Sequence, residues 1–172
     1  EALILMSSPL ISIVVPAWNE EKYIHSCLEA LKKQTFTDFE AIFVDRHSTD
    51  NTPKLVKSSG WEIFNQKQPG ISAARAEGFA RARGEIIAST DADSAPSPKW
   101  LETIARIFSE PDVVCAYGPT YFFETDPFFR SMGYLNQVFL KISRALGSDQ
   151  IYGMNFAVRK SAYKQIGGYN TS

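Results

Sequence analysis

Short apolar runs, separated by segments with helical periodicity, dominate this chain and limit what it can fold into. The first run, 11–15, is β-branched and ends at Pro16, which is typical of a buried parallel strand. Further runs follow at 39–45, 61–64, 85–90 and 113–117, and segments with apolar residues at helical spacing lie between them. This alternation predicts an α/β fold with a mostly parallel sheet, helices on both faces and right-handed crossovers.

The composition is that of an ordinary globular domain. The 172 residues are 44% apolar and 22% charged, enough for one sizeable core. The net charge of −1 provides no field that would recruit nucleic acid, and no apolar run approaches the roughly 18 residues that a membrane span needs. Cys27 and Cys115 lie far apart, which suits a reducing compartment without disulfides. We therefore expect a cytoplasmic protein with no nucleic-acid partner.

Two carboxylates follow the fourth apolar run. Asp91 and Asp93 come directly after 85–90, with Ala92 between them. In extended backbone, residues i and i+2 point to the same side, so both side chains should face one point beyond the strand. Such carboxylates repel each other unless a cation or protons separate them, and Mg²⁺ or Mn²⁺ commonly bridges one or two of them to a substrate's phosphates. The alternative, which the three residues alone favour, is a solvated turn that caps a helix after 96–98.

The end of the first run carries a second group of candidates. Pro16 and Ala17 are expected to expose backbone there, and Asn19 and Glu20 follow. We expect Asn19 to cap a helix that opens at 19–21, with Glu20 beside its positive N-terminus. Because the carboxyl ends of parallel strands meet at one edge of a sheet, these residues should lie near the Asp pair.

Two more charged residues are expected at the same edge. Asp45 ends the second run, where a carboxylate can accept a hydrogen bond from a nucleobase or a ribose hydroxyl. A helix predicted from 72 to 82 opens after Gly70, and it directs backbone N–H groups and the Arg75 guanidinium towards phosphate or sugar. Taken singly, Asp45 is explained as a strand end, Glu20 as a helix-dipole partner and Arg75 as a surface ion-pair partner. Together they indicate a nucleotide site.

These stretches carry a family resemblance. The segments 13–21, 44–52, 70–75 and 90–93 resemble the motifs of family 2 glycosyltransferases, in the family's order, and the likeness covers about 11–168. The resemblance implies the GT-A fold, a Rossmann-like architecture of nucleotide-diphospho-sugar transferases. It also implies transfer of a sugar from a UDP- or GDP-linked donor to an acceptor hydroxyl, with inversion and with Mg²⁺ or Mn²⁺ as cofactor.

The resemblance also assigns residues by position. It implies nucleotide binding by Pro16, Ala17, Asn19, Glu20, Asp45, Arg75 and Asp91, and metal binding by Asp93 and Asp91. Within that set, Asp45 matches the acid that contacts the base, and Arg75 matches the arginine near the base or diphosphate. The stretch 152–159 resembles the strand before the acceptor site, so Tyr152, Gly153 and Asn155 are the expected acceptor-side residues.

Two departures from the family pattern affect these assignments. The second motif is usually Asp-Asp-Gly-Ser, but Arg46 and His47 occupy its middle here. Arg46 is expected either to contact phosphate or base, or to face solvent. The family's catalytic base lies soon after a Gly-Gly-Phe turn, which Gly-Gly-Tyr at 167–169 resembles. We therefore expect the base beyond Ser172, and the catalytic residue is unknown.

The expected organisation has three parts. Residues 1–10 form an extension, 11–118 a nucleotide-sugar-binding half, and 119–172 the incomplete start of an acceptor-binding half. An amphipathic helix is predicted over 127–146. It either packs on the domain, which is the favoured interpretation, or contacts the inner face of the cell membrane or a lipid-linked acceptor. The acceptor could be a sugar, a lipid-linked molecule or a protein.

Two other functions remain open at this point. A nucleotidyltransferase would use a glycine-rich, basic loop after the first strand, whereas the loop 17–21 is acidic and contains no glycine. A non-catalytic nucleotide-binding scaffold of the same fold would carry the same strand-end residues without turnover.

Overall fold

The structure, a computed structural model, describes residues 8–120, 138–139, 141–143 and 153–169. In that part of the chain, strands and helices alternate as predicted. The strands are β1 (Ile11–Ala17), β2 (Phe39–Asp45), β3 (Glu62–Asn65), β4 (Ile86–Ser89), β5 (Cys115–Tyr117) and β6 (Phe156–Arg159). The helices are α1 (Ile24–Lys32), α2 (Thr52–Ser58), α3 (Ile71–Arg81), α4 (Trp100–Phe108) and α5 (Lys160–Gln165).

The strands form one mixed sheet in the order β3-β2-β1-β4-β6-β5. β1 pairs in parallel with β2 and β4, and β2 pairs in parallel with β3. β6 runs antiparallel to both of its neighbours, β4 and β5. The mostly parallel α/β fold is therefore confirmed, with the late strand β6 inserted between two earlier ones.

The central strand β1 is buried along its whole length because helices cover both faces of the sheet. Alternate residues enter two clusters, so Ile13 packs with α1 and α4 while Val14 packs with α3. α3 lies very close to β1 at Gly78, where a Cβ atom would be 2.3 Å from Cγ1 of Val14. A side chain at Gly78 would push α3 off the sheet.

The start of α1 differs from the prediction. Asn19 does not cap a helix: its φ is 54°, in the left-handed region, and α1 begins only at Ile24. The N–H groups of Tyr23 and Ile24 instead donate to the carbonyl of Glu20, at 2.9 and 2.8 Å. The intervening residues turn so that the loop after β1 can meet the loop after β2.

Other predictions have mixed outcomes. Only 138–139 and 141–143 of the predicted helix 127–146 are described; they are helical, and the described side chains among them are exposed or half-buried. Within the described ranges, no helix has the length and apolar character to cross a bilayer. Cys27 and Cys115 are both free thiols, as expected. The division at 118 stays a prediction.

Candidate functional site

The loops that follow β1, β2 and β4 meet at one edge of the sheet. The parallel register aligns Ala17 with Asp45, the last residues of β1 and β2, and Val14 with Ser89, the last residue of β4. Neighbouring strands in a sheet are about 4.8 Å apart, so side chains from these three loops can contact a common ligand. The sequence prediction that these strand ends converge is confirmed.

The Asp pair lies in a turn and not in extended backbone. β4 ends at Ser89, and the N–H of Ser94 donates to the carbonyl of Asp91 at 3.1 Å. In this turn Ala92 is buried in the core, whereas Asp91 is half-buried and Asp93 is exposed on either side of it. The expectation of extended geometry is therefore wrong. The two carboxylates nevertheless interact, since the charge of Asp93 helps to raise the pKa of Asp91.

Arg75 is the cationic partner of this turn. Its Nη2 atom donates to Oδ1 of Asp91 at 2.5 Å, and its Nε donates to Oγ of Ser89 at 3.3 Å. The residue is only 8% exposed, so the interpretation as a surface ion-pair partner is wrong. Burial raises the pKa of Asp91 above its usual range, and Arg75 opposes that shift only in part. Arg75 therefore stabilises the ionised form of Asp91.

Gly153 lies directly against the Arg75 guanidinium. A Cβ atom at Gly153 would be 2.5 Å from the guanidinium carbon, so a side chain at this position would displace the arginine. The segment before β6 thus closes one side of the Arg75–Asp91 pair. The structure brings Gly153 and Arg75 together, an association that their separate motifs did not predict. Tyr152 falls outside the described residues.

Glu20 faces the Asp turn from the β1 side. Burial, and then the charges of Asp93, Asp50 and Asp91, raise the pKa of the Glu20 carboxyl above its ordinary value. The backbone N–H of Glu20 donates to Oγ1 of Thr52 at 2.8 Å, which ties it to the start of α2. Several carboxylates thus concentrate negative potential at this edge, which favours a bound cation.

The donor set suits a hard divalent cation that is shared with a ligand. One oxygen of Asp91 contacts Arg75, which leaves its other oxygen and the exposed Asp93 carboxylate for a metal. Among the described residues, no group of three or more His, Cys, Asp or Glu side chains could hold an ion. Mg²⁺ and Mn²⁺ fit such a site, because they are commonly held by one or two carboxylates while phosphates and water complete the shell.

A dense set of hydrogen bonds joins the loops after β1 and β2. Oδ1 of Asn19 accepts from the N–H of Thr49 at 2.8 Å, and the N–H of Asn19 donates to Oγ of Ser48 at 2.9 Å. The carboxylate of Glu21 accepts from both the backbone and the side chain of Asn51. Asn19 therefore holds the loop after β1 against the loop after β2 through its hydrogen bonds to Ser48 and Thr49.

The last residues of β1 and β2 are buried. Pro16 and Ala17 lie inside β1, and the carbonyl of Ala17 accepts from the N–H of Arg46 at 2.9 Å, so the expectation of exposed backbone at these residues is wrong. Asp45 is 2% exposed, and its two oxygens accept from Oγ and N–H of Ser48 at 2.6 and 3.0 Å. The Asp45 carboxylate is thus already hydrogen-bonded.

Trp18 and the half-buried Arg46 contact each other at this edge, a pairing that the sequence did not predict. The Arg46 guanidinium carbon lies 5.1 Å from the ring centroid of Trp18, a cation–π contact. Trp18 is 52% exposed. Trp18 could have been singled out from the sequence, because it is a large aromatic residue in a polar loop directly after a strand. The contact between the two side chains could not be predicted from their spacing.

A groove of about 660 Å³ opens beside the Asp turn. Thr90 and Ser94 from the turn and Asn155 from the segment before β6 are among the residues that line it. The Asn155 amide is engaged in structure: its Oδ1 accepts from Nε1 of Trp100, and its Nδ2 donates to the carbonyl of Pro119, both at 2.9 Å. Asn155 therefore shapes the groove, and its role towards an acceptor stays a prediction.

Solved structures share this fold. The chain superposes on mannosyltransferase PcManGT from Pyrobaculum calidifontis, in complex with GDP-Man and Mn²⁺, with a TM-score of 0.73 and 22% identity, over 97% of this chain and 49% of that one. It also superposes on glucosyl-3-phosphoglycerate synthase from Mycobacterium tuberculosis, in complex with Mn²⁺, UDP and glucosyl-3-phosphoglycerate, with a TM-score of 0.65 and 20% identity, over 89% of this chain and 57% of that one. The GT-A fold expected from the motifs is confirmed.

Similarity in sequence identifies the family of the chain, which similarity in fold does not. Glycosyltransferase GlyG of Streptococcus pneumoniae serotype 4 is 33% identical over 120 residues, which is 66% of this chain and 40% of GlyG. The chain thus spans less than half the length of that relative. The model of glycosyl transferase family 2 matches residues 12–167, nearly the whole chain. The chain therefore belongs to glycosyl transferase family 2.

Proposed function

We propose that this chain forms the donor-binding part of a metal-dependent, inverting glycosyltransferase. The observation that carries the proposal is the convergence of Asp91, Asp93 and Glu20 at the carboxyl edge of the sheet, with Arg75 ion-paired to Asp91. The complexes of PcManGT with GDP-Man and Mn²⁺, and of the mycobacterial synthase with UDP and Mn²⁺, support it by fold. The donor is a nucleotide-sugar whose diphosphate lies at the Asp turn and whose nucleoside extends over β1 towards β2.

The site residues have distinct roles in this proposal. Asp93 and the free oxygen of Asp91 would hold Mg²⁺ or Mn²⁺, which when bound neutralises charge on the leaving diphosphate. Arg75 keeps Asp91 ionised and oriented, and it adds a buried positive charge near the leaving group. Asn19 and its partners keep the edge of the sheet in one arrangement, so little ordering is required when the donor binds.

The acceptor would approach along the groove beside the Asp turn. Thr90 and Ser94 line that groove next to the Asp turn, so an acceptor hydroxyl within it would lie near the anomeric carbon of a donor whose diphosphate binds at the turn. In-line attack by the hydroxyl then inverts the configuration. The side chains of the described residues that line the groove carry no charge, so the deprotonating base is supplied from outside that set.

Calorimetry tests the donor half of the proposal. Wild type should bind GDP or UDP in the presence of Mn²⁺ and much more weakly in EDTA, and Asp93→Asn should lose the metal-dependent part. The control is Asp112→Asn, an exposed carboxylate between α4 and β5, which should bind as wild type does. Unchanged metal-dependent binding in Asp93→Asn would contradict the proposal.

Transfer itself is tested by supplying a labelled nucleotide-sugar and following release of the nucleoside diphosphate. Metal-dependent release that Asp93→Asn abolishes supports a transferase. Tight donor binding without any release, with every acceptor tried, would favour a non-catalytic scaffold of the same fold.

A further inference from the structure

The predicted contact between Asp45 and a nucleobase stays a prediction, and the surroundings of Asp45 leave room for further base contacts from its neighbours. Both carboxylate oxygens accept hydrogen bonds from Ser48, at 2.6 and 3.0 Å, and the residue is 2% exposed. Ser48 therefore already uses one acceptor position on each oxygen, and little of the Asp45 surface is open to a base. Beside Asp45, at the ends of β1 and β2, lie the exposed Trp18 and the half-buried Arg46, whose side chains contact each other.

Trp18 and Arg46 together have the properties of a site for a flat, polar ring. Trp18 offers an indole that is 52% exposed, and such platforms bind nucleobases by stacking. The Arg46 guanidinium lies 5.1 Å from the indole centroid, and it has no hydrogen bond or ion pair within the described part of the chain. Its N–H donors, which have a fixed fork geometry, are therefore available to a ligand.

The position of the pair favours contact with a base and not with a phosphate. Trp18 follows β1 and Arg46 follows β2, whereas the Asp turn follows β4 on the other side of β1. The span from β4 to β2 is two strand spacings, or roughly 10 Å. If the diphosphate lies at the Asp turn, the ribose crosses the end of β1 and the base reaches Trp18 and Arg46.

We infer that Trp18 and Arg46 form the nucleobase subsite and that Arg46 selects guanine, which makes the donor a GDP-linked sugar. This inference rests on the proposed donor site. A guanidinium supplies only donors, and guanine presents two adjacent acceptors, O6 and N7, that a fork of donors matches. On the corresponding edge, adenine presents one acceptor and one donor, uracil's polar acceptor is O4 alone, and cytosine presents an amino donor.

Calorimetry with four nucleotides tests the inference. Wild type with Mn²⁺ should bind GDP about 10- to 100-fold more tightly than UDP, CDP or ADP. Arg46→Met should reduce GDP affinity to the level of UDP while leaving UDP nearly unchanged. Arg46→Lys should also lose the preference, because an ammonium keeps the charge but not the fork. Arg106→Met, which removes an exposed arginine on α4, should keep the wild-type preference.

Stacking has its own readout. Base binding should quench indole fluorescence in wild type, Trp18→Phe should lose that quench, and Trp18→Ala should weaken all four nucleotides to a similar extent. Because Trp18 is exposed and the half-buried Arg46 guanidinium has no hydrogen bond or ion pair in the described part of the chain, each variant should retain nearly the wild-type Tm, which is measured first.

The possible outcomes distinguish a failure of the nucleobase subsite from a failure of the whole donor site. Equal binding of GDP and UDP by wild type, or a GDP preference that survives Arg46→Met, overturns the guanine assignment and leaves the metal–diphosphate site intact. A quench that persists in Trp18→Phe overturns the stacking role. If no nucleotide binds with Mn²⁺, the proposed donor site fails, and this inference fails with it.

Discussion

Nη2 of Arg75 lies 2.5 Å from Oδ1 of Asp91, and this ion pair links helix α3 to the turn after β4. The arginine side chain is 10% exposed and the aspartate side chain 23%. Desolvation makes such a pair expensive to form, so its presence beside a second, unpaired carboxylate indicates a functional role more than a stabilising one. In the proposed site, Arg75 sets the ionisation of Asp91 that a metal ligand requires.

Replacing Arg75 by Met should damage stability and binding together. Loss of one partner leaves a half-buried carboxylate uncompensated, which we expect to cost about 2–4 kcal/mol of unfolding free energy, since Asp91 keeps some solvent contact. Urea unfolding measures this cost, and calorimetry should show weaker Mn²⁺-dependent nucleotide binding. Arg106→Met, an exposed arginine, should change stability by less than about 0.5 kcal/mol. An equally mild effect of Arg75→Met would exclude the pair as a determinant of the site.

Gly153→Ala should act through Arg75. The new Cβ would lie 2.5 Å from the guanidinium carbon, so the arginine must move away from Asp91. We expect a loss of about 1–3 kcal/mol in stability and weaker metal-dependent binding. A double-mutant cycle checks the route: in an Arg75→Met background, Gly153→Ala should cost much less. Additive costs would mean that Gly153 acts independently of Arg75.

Acidification should move ligand affinity and metal-free stability in opposite directions. The pKa values of Asp91 and Glu20 are raised by burial, with neighbouring carboxylates adding to the shift. An acid whose folded pKa exceeds its unfolded pKa destabilises the fold when ionised, so stability rises as the pH falls through the folded value. A metal needs its ligand Asp91 ionised and is further attracted by the charge of Glu20, so metal affinity falls over the same range.

The measurement compares wild type with Glu20→Gln between about pH 7 and pH 5, a window that lies above the ordinary pKa of both acids. Without metal, wild type should gain unfolding free energy towards the acid end, and Glu20→Gln should gain less. Identical pH profiles for the two proteins would show that Glu20 keeps an ordinary pKa.

The strand ends of this site were predictable because the apolar runs are distinct and parallel strands share an edge. The orientation of individual side chains was not. Asp45 ends its strand as predicted, but Ser48, three residues later, captures its carboxylate in a local turn. Asp91 and Asp93 follow β4 as predicted, but they lie in a turn with Ala92 buried between them and not in extended backbone. Such contacts depend on the loop conformation, which a strand pattern does not specify.

The order of the strands in the sheet could not be predicted from the pattern of apolar residues either. β6 lies between β4 and β5, which precede it in the chain, because long-range contacts select that position. Ala88 and Ala157 pair across β4 and β6. The Arg159 guanidinium donates to the carbonyls of Phe108 and Val113, at 2.9 and 3.0 Å, and so closes the end of α4. Neither partner lies near Arg159 in sequence.

A hydrogen-bonded network lies near the amino ends of β1 and β2, opposite the carboxyl ends that form the candidate site. A substitution there should change stability without affecting the site. Glu40 accepts from the hydroxyl of the fully buried Ser12 at 2.6 Å and from N–H and Nε of Arg83, both at 2.8 Å. Burial alone would raise the pKa of Glu40, but these hydrogen bonds and the charge of Arg83 hold it below its ordinary value of 4.5. The ionised carboxylate therefore stabilises the fold.

Glu40→Gln should cost about 1 kcal/mol at neutral pH, because neutral hydrogen bonds replace charge-assisted ones. A depressed folded pKa contributes stability that is present above the unfolded pKa and lost as the pH falls through the folded value. The difference between wild type and Glu40→Gln should therefore shrink below about pH 4.5. Unfolding in urea at several pH values measures it, and nucleotide binding near neutrality should be unchanged. A difference that persists in acid would place the stabilisation in packing and not in the charge of Glu40.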